Sequence, residues 1–118
     1  MRETRLWLLS LLCTTVLIVL LGMHFALMHY SPVFYGEGVE EVRSFGALLE
    51  RGRQTAFLVI YILLLATALY HGLYGLRGIL LELPLARAWG RLVSAGLLII
   101  GLVFFAYGAY VTWWTFVQ

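Results

Sequence analysis

Three long apolar runs alternate with two polar connections along the chain. The runs cover about residues 6–29, 56–79 and 92–117, and each is 24 to 26 residues long. A helix needs roughly 20 apolar residues, at about 1.5 Å each, to cross the hydrocarbon of a bilayer. Because a helix satisfies all of its own backbone hydrogen bonds in lipid, the pattern predicts three transmembrane helices.

The first connection, residues 36–53, is polar but patterned. Apolar residues recur in it at helical spacing with charged residues between them, which is typical of a short amphipathic helix at the membrane interface. A solvated loop packed on a partner protein is the alternative. We expect Pro32 to end the first transmembrane helix, because proline lacks a backbone N–H and restricts the residue before it. The recurring apolar residues are Val39, Val42, Phe45, Leu48 and Leu49.

The composition supports a membrane protein and argues against other classes. The 118 residues are 63% hydrophobic and 12% charged, and the mean hydropathy is +0.94. A soluble domain carries about 25% charged residues, so a soluble enzyme domain and a disordered chain are both poor fits. The net charge of +2 is too small for a nucleic-acid groove, and no nucleic-acid partner is expected. The sequence predicts an all-α integral membrane bundle, as a single membrane-anchor domain over residues 1–118.

The placement of arginine predicts the orientation of the chain. Five arginines lie at the N-terminus and around the second connection, against three in the first connection, where four glutamates dilute them. Short cytoplasmic segments carry an excess of arginine and lysine. We therefore expect the N-terminus and the second connection to be cytoplasmic and the C-terminus to be outside. The five are Arg2, Arg5, Arg77, Arg87 and Arg91.

His71 is the strongest candidate for chemistry, because an ionisable residue inside a span is a functional hypothesis by default. Gly75, Gly78 and Glu82 follow it by four, seven and eleven residues, so all four share one stripe of a helix. The glycines leave room for a flat macrocycle beside the imidazole, or for the close approach of another helix. His71 is therefore either a haem ligand or a core histidine that donates to another helix.

The segment that begins at His71 resembles the haem-ligand segment of the D-type hydrophobic membrane anchors of succinate dehydrogenase and fumarate reductase. That family has a His, then Gly four residues later, often then Leu-Arg, and an acidic residue eleven after the His. The total length and the three spans with the N-terminus inside also resemble those anchors. The family often has a Tyr after the acidic residue, where this chain has Leu83, which cannot donate a hydrogen bond to a quinone. The matching residues are His71, Gly75, Leu76, Arg77 and Glu82.

The resemblance implies a subunit of succinate:quinone oxidoreductase, an enzyme of the tricarboxylic acid cycle and the respiratory chain in the inner (plasma) membrane of the cell. Such an anchor pairs with a second, C-type anchor, holds haem b with it, and docks the iron–sulfur and flavoprotein subunits on the cytoplasmic face. This chain would supply His71 as an axial ligand of the haem iron and part of the quinone site, but no succinate chemistry. Gly75, Arg77, Gly78 and Glu82 would lie near the haem and the quinone. The alternative is a haem-free structural or assembly subunit of a respiratory membrane complex.

Two of these residues keep simpler alternatives. Arg77 either pairs with a haem propionate or quinone-site water, or extends its charged group to the membrane interface. Glu82 either helps to deliver protons to the quinone or is a carboxylate in water just past the helix end.

His24 and His29 are predicted to lie near the opposite surface from His71. Counting about 1.5 Å per residue from the expected helix ends separates His24 from His71 by roughly 20 Å across the membrane, too far to share one iron. The second ligand of a His71 haem is therefore expected from the partner anchor. Either His24 or His29 is the ligand of a second haem, again with a partner histidine, or neither is. In the second case His24 is a hydrogen-bonded packing residue and His29 is solvated at the water boundary. They lie about 140° apart around the helix, so both cannot face one site.

The third run carries no clear candidate for chemistry. Its glycines, Gly96, Gly101 and Gly108, offer smooth positions at which another helix can approach closely.

Overall fold

The computed structural model describes residues 1–36, 38–84 and 88–118, without the side chains at positions 31, 32, 34, 35 and 39. Arg87, one of the five arginines from which the orientation is predicted, lies outside the described residues. The described chain is helical and contains no strand. Its helices are α1 (Arg2–Tyr35), α2 (Val39–Val42), α3 (Phe45–Gly52), α4 (Thr55–Glu82) and α5 (Gly90–Val117).

The three long helices confirm the predicted all-α fold with three candidate spans. Stretches long and apolar enough to cross a membrane are Arg2–Tyr30 in α1, Thr55–Glu82 in α4 and Gly90–Val117 in α5. Each predicted run falls inside one of these helices. The physical reason is that 24 or more apolar residues leave the backbone no better partner than itself in lipid.

The prediction that Pro32 ends the first helix is wrong. Helix α1 continues to Tyr35 and stops where Gly36 takes a left-handed conformation, with φ 70° and ψ 13°. Glycine adopts that conformation without the steric cost of a Cβ, and it is the commonest way for a helix to end. Position 32 lies in the last turn of α1, and one missing N–H is tolerated near the end of a transmembrane helix.

The first connection forms two short helices in place of the single amphipathic helix or the solvated loop. The break falls at Ser44, whose hydroxyl accepts a hydrogen bond from the backbone N–H of Ala47 at 3.2 Å. This bond caps the start of α3, and serine is among the best residues for that position. Helix α3 packs against both α4 and α5, so the interfacial segment is docked on the end of the bundle.

Helix α4 is the centre of the bundle. Helices α1 and α5 each pack along it, and no Cα atom of α1 lies within 8 Å of one of α5 among the described residues. A cleft of about 360 Å³ remains between α1 and α5, lined by Leu6 of α1 and by mainly apolar side chains of α4 and α5.

Two of the three glycines predicted to allow close packing of the third run, Gly101 and Gly108, make the close contact of α5 with α4. A Cβ added at Gly101 would lie 2.6 Å from Cδ1 of Leu73, and one added at Gly108 would lie 2.5 Å from Cδ2 of Leu65. A Cβ at Gly96 would meet nothing within 4 Å, so the expectation of close packing does not hold there. Small residues allow this approach because helices in lipid associate through packing and not through the hydrophobic effect.

Many large apolar side chains of the bundle are exposed at its surface. Ser10 and Thr67, each 8% exposed, are the only buried residues of the long helices in the described part of the chain. Large apolar side chains such as Ile18 and Ile79 are about two-thirds exposed, at 68% and 66%. Such a surface requires lipid or a partner protein around it.

Candidate functional site

His71 lies at the contact between α4 and α1. Its Nδ1 atom is 2.8 Å from the hydroxyl oxygen of Thr14, which lies on α1. The same hydroxyl donates to the backbone carbonyl of Ser10 at 2.8 Å, one turn earlier in α1. A second bond joins the two helices nearby, from the Tyr70 hydroxyl to the carbonyl of Leu6 at 3.2 Å.

The direction of these bonds follows from the number of protons. A threonine hydroxyl has one hydrogen to donate, and a carbonyl oxygen can only accept. Because the Thr14 hydrogen is used on Ser10, the Thr14 oxygen must accept from His71, and Nδ1 therefore carries the proton. In a neutral imidazole the other nitrogen, Nε2, is then unprotonated. No hydrogen bond is made by Nε2 within the described residues.

The stripe that begins at His71 is open. A Cβ added at Gly75 or Gly78 would meet nothing within 4 Å, and both glycines are exposed. Glu82, the last residue of α4, is also exposed. Gly75, Gly78 and Glu82 therefore lie on an open side of α4 that follows His71, whose Nε2 has no hydrogen bond to any described residue.

Arg77 belongs to a different face of α4. Six residues after His71, it is turned about 120° from it around the helix. Its Nη1 lies 3.5 Å from a Glu3 carboxylate oxygen of α1, and its Nε donates to the Ser94 hydroxyl of α5 at 2.9 Å. Arg77 thus joins the ends of all three long helices, at the rim of the cleft between α1 and α5.

His24 packs edge-on against Tyr61 of α4, with ring centroids 6.0 Å apart. Both His24 Nδ1 and the Tyr61 hydroxyl oxygen are buried and have no hydrogen-bond partner in the described part of the chain. The hydrogen bond expected for a packing histidine is therefore not made by Nδ1. Buried polar atoms without a hydrogen-bond partner are uncommon in folded proteins, which distinguishes this contact from the others between α1 and α4.

His29 is exposed and lies in different surroundings, as expected from its angle to His24. Its ring stacks on Phe25 with centroids 4.0 Å apart. Its Nε2 is 3.2 Å from a guanidinium nitrogen of Arg43, and its Nδ1 is 3.2 Å from the Phe25 carbonyl. Because arginine can only donate, Nε2 accepts and Nδ1 donates, so His29 is a boundary residue with both nitrogens in use.

The register of α1 and α4 corrects the predicted depth difference between His24 and His71. Thr14 is level with His71, and His24 is level with Tyr61. Ten residues separate the two positions on each helix, which gives about 15 Å and not the predicted 20 Å. The separation is still too large for one iron to bind both histidines.

Sequence reasoning did not find Thr14, Ser10, Tyr61 or Glu3. Each becomes relevant only through a contact with a residue far along the chain, and Thr14 is 57 residues from His71. Among the described residues, no three His, Cys, Asp or Glu side chains lie close enough together to hold a metal ion.

The fold is that of a small membrane protein with three helices long and apolar enough to span a bilayer, and its candidate site is centred on His71. Over 108 residues the chain is 29% identical to the succinate dehydrogenase hydrophobic membrane anchor subunit of Archaeoglobus fulgidus, and the alignment covers 92% of this chain and 86% of that protein. This similarity confirms the resemblance inferred from the sequence. No protein-family model matches the chain, and no solved structure matches it.

Proposed function

We propose that this chain is a membrane anchor of a succinate dehydrogenase, and that His71 supplies one axial ligand to a haem b held jointly with a second, C-type anchor. The near full-length similarity to a protein of that name supports the anchor role. The observation that carries the haem assignment is the state of His71. Its Nδ1–H donates to the Thr14 hydroxyl oxygen at the contact between α4 and α1, which leaves Nε2 unprotonated.

The residues of the open stripe fit a haem. Ligating histidines almost always donate their other N–H to an oxygen, which orients the ring. Gly75 and Gly78 leave the α4 backbone open on the side where a flat ring would lie. When bound, haem b would carry single electrons. The role of this chain is to hold the imidazole in one orientation and one tautomer.

The second axial ligand would come from the partner anchor, because His24 is about 15 Å from the level of His71. His24 and Tyr61 remain a candidate contact for a second haem nearer the other surface. The chain itself performs no succinate chemistry in this proposal; the flavoprotein and iron–sulfur subunits dock at the end that carries the N-terminus, which would face the cytoplasm.

The direct test is to purify the complex from cells that carry His71→Leu. We expect the low-spin b-type absorbance to disappear while the chain stays in the membrane, because leucine fills the space but cannot bind iron. His29→Leu is the matched control, since His29 is exposed and is bonded at both nitrogens. An unchanged spectrum in His71→Leu would rule out the ligand assignment.

A haem-free anchor is the second candidate function. The bond from His71 to Thr14 is compatible with it, because a histidine that only packs in a core also seeks such a partner. The spectrum of the purified wild-type complex separates the two functions, since a haem-free anchor has no bis-histidine absorbance. If haem is present, the pyridine hemochrome ratio of haem to complex counts it, and His24→Leu lowers that ratio only if a second haem exists.

Part of the quinone site is proposed at the α4 end that carries Glu82. Glu82 is the last residue of α4 and is exposed at that end of the helix. Glu82→Gln should lower quinone reduction and leave electron transfer to a soluble dye unchanged. Glu40→Gln, an exposed glutamate at the opposite end of the bundle, is the control. Equal quinone rates in the two variants would remove Glu82 from the site.

A further inference from the structure

The bond between His71 and Thr14 continues into the backbone of α1. The chain of donors runs from His71 Nδ1 to Thr14 Oγ1 and from Thr14 Oγ1 to the Ser10 carbonyl, with 2.8 Å at each step. Ser10 is one of the buried residues of the bundle, at 8% exposure, so water does not compete freely for this carbonyl. We call this pair of hydrogen bonds the relay. It begins at His71 on α4 and ends at the Ser10 carbonyl on α1.

We propose that Thr14 is a positioning residue that acts on the haem iron through His71, an inference that rests on the proposed haem function. By accepting the Nδ1 proton, the Thr14 oxygen selects the tautomer whose Nε2 can bind iron. A reversed relay is unfavourable, because the Thr14 oxygen and the Ser10 carbonyl oxygen would then face each other at 2.8 Å without a hydrogen between them.

The hydrogen bond from His71 to Thr14 also changes how basic the imidazole is as an iron ligand. Donation from Nδ1–H places more electron density on the imidazole, and a more basic ligand favours ferric over ferrous iron. Loss of the acceptor should therefore raise the midpoint potential of the haem. Partners of this kind typically change metal affinity by about 10- to 100-fold. A tenfold shift of the one-electron equilibrium corresponds to about 59 mV.

The chain contains a matched control in the neighbouring residue. Thr15 makes the same type of bond to its own helix, from its hydroxyl to the Leu11 carbonyl at 3.1 Å, but it is exposed and has no bond to His71. Thr15→Val therefore loses the same helix bond as Thr14→Val without touching the ligand. Thr14→Ser keeps the hydroxyl and should restore the relay.

The experiment is a redox titration of the purified complex, followed at the haem absorbance, with the electron paramagnetic resonance of the ferric state as a second signature. Thr14→Val and Thr14→Ala should both shift the equilibrium about tenfold towards ferrous haem, while Thr14→Ser and Thr15→Val stay at the wild-type value. Using two acceptor-free variants makes the comparison independent of how well either one assembles.

The outcomes separate this inference from the proposed function. If His71→Leu loses the haem and both acceptor-free variants titrate like Thr15→Val, the role of Thr14 is refuted and the ligand assignment stands. If the wild-type complex contains no haem b, or His71→Leu keeps it, both proposals are overturned.

Discussion

Replacing Gly52 with alanine should loosen helix α3 from the end of the bundle. Gly52 ends α3 and is buried against Thr115 of α5. A Cβ built at Gly52 overlaps the Thr115 methyl and lies 3.1 Å from its Cβ and 3.7 Å from its carbonyl carbon. Threonine is short and branched at Cβ, so it cannot swing the methyl away as a long side chain would. Helix α3 must move instead.

The magnitude follows from two opposing terms. Forcing an extra methyl into a close contact costs about 1–3 kcal/mol, and alanine gains at most about 1 kcal/mol over glycine in a helix, less at its last residue. A net cost of about 1–2 kcal/mol makes the detached state of α3 about 5 to 30 times more populated. Gly46→Ala is the control in the same helix. A Cβ there meets nothing within 4 Å, so only the helix gain remains and detachment becomes rarer.

Trypsin cleavage after Arg51 and Arg53 measures this detachment. In the docked state the Arg51 guanidinium donates to the Val42 carbonyl at 2.7 Å, and that of Arg53 donates to the Gln118 carbonyl at 2.9 Å. When α3 opens and closes faster than it is cut, the cleavage rate follows the population of the open state. On the solubilised complex we expect faster cleavage in Gly52→Ala and slower cleavage in Gly46→Ala. Equal rates in the two variants would refute the steric argument.

Three further predictions test the contacts that assemble the bundle. Ser44→Ala removes the cap of α3 and should cost about 1 kcal/mol of local stability, seen as faster trypsin cleavage, whereas Ser44→Asp keeps an acceptor and the wild-type rate. Gly108→Ala should lower the free energy of unfolding of the complex by about 1–3 kcal/mol, because a Cβ there meets Leu65 of α4, and should therefore lower its melting temperature. Gly96→Ala should not, and a lower melting temperature for Gly96→Ala than for Gly108→Ala would contradict the packing of α5. Arg77→Gln should destabilise the complex more than Glu3→Gln, because Arg77 also bonds to α5 and an exposed ion pair alone contributes about 0–1 kcal/mol. Equal melting temperatures for those two variants would count against a three-helix role for Arg77.

The sequence by itself determined the class of this protein and its three spans. The reason is that bilayer thickness and the hydrogen-bonding demand of a backbone in lipid act on each apolar run separately, without reference to the other runs. It also singled out His71 and the glycine stripe, because helical spacing alone places them on one face. The sequence did not determine which of two neighbouring helix-ending residues ends α1. The helix passes through Pro32 and ends at Gly36.

Only the tertiary structure decided which residues meet across helices. The register of α1 against α4 pairs Thr14 with His71 and His24 with Tyr61, and it depends on how side chains interlock over the whole contact. The same holds for Arg77, whose partners Glu3 and Ser94 come from two other helices. An apolar run specifies its length and depth in lipid, but its rotation and its sliding against a neighbour are set by packing. Which ring nitrogen of His71 carries the proton is therefore a property of the assembled bundle.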